Sequence, residues 1–186
     1  MDKLTKGLVV YPKNKASKKI LHNSFSNKNI IKKKYLAFCE NKKKILIPHS
    51  VSGFIYKDEN NKRMNFQSFD NGDLKMKSCS IDIEEIASKY NFSLLEINLI
   101  TGRKHQIRSI LSFLNIPIVG DKKYGSNFDL KNKIKLFGYK IEFVNLPAHL
   151  CYLNGKVFKL EGIKEKLIHS LNSVQENILP KKFLKY

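Results

Sequence analysis

The hydrophobic period changes once, within "SLLEINLITGRKHQIRSILSFLN" (93–115). Leu95, Ile97 and Leu99 alternate with Glu96 and Asn98, the period-two pattern of a strand with one face on a core. From Ile107 the apolar residues fall at Ile107, Ile110, Leu111 and Leu114, the i, i+3, i+4, i+7 spacing of an amphipathic helix. Thr101 or Gly102 ends the strand and can open the helix, which the spacing predicts over 104–115. Asn115 and Pro117 stop it.

The rest of the chain adds elements of both kinds. "GLVVYP" (7–12) reads as a strand ended by Pro12, and "IIKKKYLAFCE" (30–40) as another. "KASKKILHNSFS" (15–26) places Ala16, Ile20, Leu21 and Phe25 at helical spacing. Residues 41–77 hold several Asn, Asp and Gly turn signals and predict an irregular, exposed region. "CSIDIEEIASKY" (79–90) alternates and then drifts toward helical period. A hairpin turn at "YNF" would make it a strand paired with 93–100. "GDKKYG" (120–125) is a turn, in which Asp121 is most simply a turn residue. Residues 134–144 alternate around Gly138, and "IKEKLIHSLNSV" (163–174) predicts a C-terminal helix. Strands and helices without a regular βαβ rhythm imply an α+β fold, with a mixed, mainly antiparallel sheet flanked by helices.

The chain has 186 residues, enough for one domain with a core. No apolar run approaches the ~20 residues of a membrane span, and no secretory leader precedes the first charges. Cys39, Cys79 and Cys151 are scattered and form no CxxC pair, so neither a zinc site nor a disulfide framework is indicated. Three buried thiols in a reducing, cytoplasmic compartment are expected.

The net charge of +19 is unevenly distributed. Residues 1–49 carry 13 Lys against 2 acidic residues, and residues 101–186 carry 16 basic against 6 acidic. The middle, 50–100, has 6 basic and 8 acidic residues. Folded together, the two basic segments would make one positive face that attracts polyanions. Nucleic acid is the expected partner, and charge alone does not separate RNA from DNA.

Among 35 Lys and Arg residues only three are Arg, and two of these, Arg103 and Arg108, lie within six positions. Arg offers a planar bidentate fork that Lys lacks, suited to a carboxylate or a phosphate. Arg103, Lys104 and Arg108 also fall at the start of a predicted helix, where the dipole favours acids and a capping box would want Glu or Gln at 104. Local rules break most often at functional sites, and this end calls for an anion.

"LLEINLITGRKHQIRSILSFLNIPIVGDKKYG" (94–125) strongly resembles the TGRxHQIR…GxPIxGDxxYG signature of the RluA-type pseudouridine synthases. "MDKLTKGLVVYPKN" (1–14) resembles that family's HRLDxxTSGLLLxAKN, and "KKKYLAF" (32–38) its KxYLAL element. "IKLFGYKIEF" (134–143) resembles its LHAxxLxF strand. The likeness covers roughly residues 1–160, and 161–186 match weakly.

The resemblance implies an RNA isomerase that converts uridine to pseudouridine in ribosomal or transfer RNA, without metal or cofactor, and as a monomer. Asp2 falls on the family's catalytic aspartate. It would attack or deprotonate at the uridine while the C1′–N1 bond breaks and the base rejoins through C5. Tyr35 would pack on the base, and Arg108 would pair with Asp2 as a bidentate partner. Arg103, Lys104, His105, Gln106 and Thr5 are carried over as RNA-binding or motif-holding residues. The family's HR before the aspartate is absent, Lys6 replaces Ser, and Ile110 stands where a second His is usual. The expectation is a single catalytic domain over 1–186, N-terminally incomplete relative to the family. The alternative is a basic RNA-binding fragment without a competent site.

Overall fold

The computed structural model describes residues 2–25 and 27–175. Met1, and the part of the weakly matched tail at 176–186, lie outside the described residues. Among the described residues eight strands form one sheet: β1 (Lys6–Gly7), β2 (Ile31–Glu40), β3 (Ser50–Asp58), β4 (Arg63–Gln67), β5 (Lys77–Lys89), β6 (Phe92–Leu99), β7 (Leu136–Phe143) and β8 (Val157–Lys159). Their order is β1-β7-β2-β6-β5-β3-β4, with β8 pairing to β7. β1 runs parallel to β7, and the other pairings are antiparallel. Among the described residues three α-helices flank the sheet: α1 (Lys15–Ser24), α2 (Gln106–Phe113) and α3 (Ile163–Asn172). The fold is α+β with a mainly antiparallel sheet, as the pattern predicts.

Alternation along β2 divides the core. Ala37 and Cys39 join Ile97, Leu99, Ile107, Ile110 and Leu111 beneath α2. Leu36 and Phe38 join Leu94, Phe137, Leu167 and Leu171 beneath α3. A third cluster, around Leu21, Ile31, Ile141 and Phe143, packs α1 against the β2–β7 end.

Four departures from the sequence reading have physical causes. The expected strand 7–12 shrinks to Lys6–Gly7, because beyond the Leu8 N–H bond to Gly138 O the chain leaves the sheet to pack Leu8 and Val10 on the third cluster. The region 41–77 is not irregular throughout: β3 and β4 form a hairpin, and its Asn, Asp and Gly signals fall in the turn after Asp58 and in the 70–73 loop before β5. Gly53 lies in that hairpin because a Cβ there would sit 2.6 Å from the Phe66 ring. The drift in 79–90 is a β-bulge between Glu85 and Ala87, which turns Ile86 and Ala87 onto the α3 side. Cys151 is exposed, whereas Cys39 and Cys79 are buried.

No helix among the described residues is long and apolar enough to cross a membrane.

Candidate active site

Helix α2 begins at Gln106, two residues later than its spacing predicts. His105 precedes it with φ 52°, in the left-handed region, and gives no side-chain cap. The 101–106 turn is held instead by Gln106. Its Oε1 accepts from the Thr101 hydroxyl and the Arg103 N–H, both at 2.9 Å, and its amide donates to Ser80 O at 3.0 Å. The Gln106 side chain is buried, so the geometry gives it the motif-holding role.

This turn aims Arg108 inward, where the residue is only 3% exposed. The Arg108 fork does not grip Asp2. Nε and Nη2 donate to the two carboxylate oxygens of Asp121 at 2.6 and 2.7 Å, and Nη1 donates to Asp2 Oδ2. The bidentate partner is therefore the residue read from sequence as a plain turn residue, and Asp2 receives a single bond. Asp121 is buried and precedes the 3₁₀ turn Lys122–Tyr124. The Arg108 guanidinium also lies over the Tyr124 ring, 4.7 Å from its centroid. Buried Glu40 pins the following residues, accepting from Ser126 Oγ at 2.6 Å and from Asn127 N at 2.9 Å. HQIR and GDKKYG are thus two halves of one constellation.

His105 links them a second time. Its Nδ1 lies 2.9 Å from the Tyr124 hydroxyl, which accepts the Met64 N–H at 3.1 Å. Its Nε2 lies 3.4 Å from Asp2 Oδ2. Burial, together with Arg108, Lys104 and Lys123, lowers the His105 pKa despite the pull of Asp2, which favours the neutral ring. A neutral ring that accepts the Tyr124 O–H at Nδ1 carries its proton on Nε2, facing Asp2.

Burial pushes the Asp2 carboxyl up, but the bonded Arg108 guanidinium, nearby His105 and the Leu4 N–H hold it below the ordinary value. The turn that carries Asp2 is closed by Thr5 N–H donating to Asp2 O at 3.0 Å. Thr5 itself is buried. Arg103 and Lys104 are exposed, and Arg103 Nε donates to Ser78 O at 3.1 Å.

Asp2 and Arg108 stand at one wall of a groove of about 1010 Å³ between the α2 and α1 clusters. Tyr35 lines the same groove and burial raises its phenol pKa, so it remains protonated. The groove draws on both basic segments, with Lys34 from the first and Arg103, Lys104 and Lys140 from the second. The near-neutral middle of the chain contributes only Leu99 to its lining. The structure thus brings together Asp2, Tyr35, Arg108, Thr5 and all four residues of 103–106 at one groove.

Sequence reading missed Asp121, Tyr124 and Lys33. Lys33 was readable from alternation, since in 32–35 it shares a strand face with Tyr35. Among the described residues no cluster of His, Cys, Asp and Glu is arranged to hold a metal ion.

The RNA pseudouridylate synthase family model matches residues 1–113, a stretch that includes Asp2, Tyr35 and Arg108. The chain is 39% identical over 158 residues to an uncharacterized RNA pseudouridine synthase of Mycoplasma capricolum, covering 84% of this chain and 50% of that protein. It is 31% identical over 144 residues to the ribosomal large subunit pseudouridine synthase D of Borreliella burgdorferi, covering 76% and 42%. It is 30% identical over 184 residues to the synthase C of Rickettsia bellii, covering 94% and 54%. The chain spans about half the length of these curated relatives. The fold matches human RNA pseudouridylate synthase domain containing 4 with a TM-score of 0.55 at 20% identity, over 87% of this chain and 68% of that one. With a model match across more than half the chain and the quoted motifs meeting at one groove, the chain belongs to the RNA pseudouridylate synthase family.

Proposed function

We infer that this chain carries the site of an RNA pseudouridine synthase, which isomerises uridine to pseudouridine within an RNA. The observation that carries the reading is the Asp2 carboxylate, bonded by a buried Arg108 that is itself forked on Asp121, at the wall of a basic groove shared with Tyr35. A carboxylate held in this way stays ionised and oriented. The chemistry is a rearrangement. The C1′–N1 bond breaks with Asp2 acting at the ribose, the base turns, and a C1′–C5 bond forms. The C5 proton leaves and N1 takes one up. A stacked uridine does not reach such a groove, so the nucleotide flips out and the Tyr35 ring receives the base.

Ribosomal RNA is the first substrate class to test, because relatives carry large-subunit synthase names. The residues of 1–186 act as a single catalytic domain on this reading. A monomer is the expected state, and the expected compartment is the cytoplasm, where such RNA is found.

RNA containing 5-fluorouridine, drawn from ribosomal and transfer species, tests the reading. The expected result is a slow-migrating adduct or a hydrated fluorinated product that disappears with Asp2→Asn. Salt-sensitive binding with neither product would overturn it in favour of a non-catalytic RNA-binding role.

A further inference from the structure

Glycosidic cleavage in the proposed reaction leaves an electron pair on the uracil, spread over N1, O2 and O4. A site that promotes this step needs positive charge where the uracil lies, in a place water does not reach. Among the described residues, the basic side chains lining the groove that are themselves buried are Arg108 and Lys33. Arg108 is not free for the task. Three of its five N–H donors go to Asp121 and Asp2, and these two carboxylates already offset its charge. Arg103 and Lys104 are exposed, suited to the RNA backbone rather than to a flipped base.

Lys33 is differently placed. It is 7% exposed and sits two residues before Tyr35 on β2, on the same face of the sheet. Its ammonium donates to Phe25 O, at the C-terminal end of α1, and lies 5.6 Å from the Phe25 ring centroid. It reaches the Gly102 backbone, where a Cβ would stand 3.6 Å from Nζ. An ammonium has three donors, and one is bonded among the described residues. The carbonyl at the helix end orients it without neutralising it. Burial lowers its pKa, and no carboxylate among the described residues offsets that cost, so an arriving anion is favoured beside it.

Resting on the synthase reading, we propose that the Lys33 ammonium stabilises the uracil anion released when the C1′–N1 bond breaks, while Tyr35 holds the ring. The electron pair of the broken bond stays on the uracil, Lys33 neutralises it through O2 or O4, and the pair on C5 then forms the new bond to C1′. Lys33 gives up no proton in this sequence.

Single-turnover rates of the full chain on matched RNAs carrying uridine or 5-fluorouridine test this assignment. Fluorine withdraws electrons, so the fluorinated anion needs less help from a cation. Lys33→Gln keeps a donor for Phe25 O but removes the charge. It is expected to lower the rate on uridine by about 10²–10³-fold, the usual cost of losing one preorganised electrostatic partner. The loss on 5-fluorouridine should be distinctly smaller, with RNA affinity and melting midpoint near wild type. Lys33→Arg should recover most of the rate. Equal losses on both substrates, or an arginine variant as impaired as the glutamine one, would overturn the proposal and leave Lys33 as a tie to α1. An undiminished glutamine variant would overturn it too, without touching the synthase reading. A wild-type chain that converts neither substrate removes that reading and this one together.

Discussion

Arg108 joins three parts of the chain through one guanidinium. Its backbone belongs to α2, its fork to the turn at Asp121, and its remaining nitrogen to Asp2 near the chain start. Arg108→Lys keeps the charge but not the fork. Losing the directed bond removes the main influence that lowers the Asp2 pKa, while burial still raises it. In the wild type, activity should therefore persist as pH falls below the ordinary carboxylate value. In the lysine variant the acid limb of the pH–rate profile should move to higher pH, and rate should fall far more than RNA affinity. Asp121→Asn tests the other side of the fork. It leaves a buried guanidinium with its main counter-charge gone, for which about 3 kcal/mol of destabilisation is expected by urea denaturation. At this scale the sequence was half legible. A retained Arg in a Lys-rich chain pointed to a carboxylate or a phosphate, and the family resemblance named Asp2. Which carboxylate takes the fork depends on where the 120–125 turn docks, and no local pattern encodes that.

β1 is the shortest strand, yet it positions the Asp2 turn. It pairs in parallel with β7 through Lys6↔Phe137 and Gly7↔Gly138. Gly7 has φ +128°, and a Cβ there would stand 2.2 Å from Gly138 O. No residue with a side chain fits that approach. Gly7→Ala should push β1 off the sheet edge and displace Asp2. A misplacement on the order of 1 Å costs about 10²-fold in rate, and that loss is expected in single-turnover assays. The thermal melt should suffer less than the rate, because the clusters beneath α2 and α3 stay intact and only the edge of the α1 cluster, where Leu8 packs, is disturbed. β6 and β7, which alternate, and β2, with its aromatic and β-branched residues, were readable in the sequence, and so were α1, α2 and α3. The β3–β4 hairpin was not. Its turn residues outweighed two strands, nine and five residues long, whose inward residues, Val51, Ile55, Met64 and Phe66, find their partner only once α2 is in place. Phe66 meets Phe113 of α2 edge-on, with ring centroids 5.0 Å apart.

Charge acts over the whole molecule. The two basic segments meet along the groove, and the near-neutral segment forms the β3–β5 side of the sheet away from it. RNA affinity should therefore fall linearly with salt on a log–log plot, with a slope of about −0.7 to −0.9 per phosphate contact. Filter binding between low and physiological salt would show it. A flat line would mean that the groove does not carry the RNA backbone.

The sequence by itself determined the elements that repeat with a local period. Side chains two apart share a strand face and those three or four apart share a helix face, so composition along the chain reports burial directly. It also determined the excess of positive charge and the motifs that mark the family. Only the tertiary structure decided which charges meet. Asp2 and Arg108 are separated by 106 positions, and Arg108 and Asp121 by 13. Whether a buried Arg forks on one carboxylate or the other is a matter of distances of a few ångströms. Sheet order, two β-bulges and a glycine–glycine approach set those distances, through packing that no single segment contains.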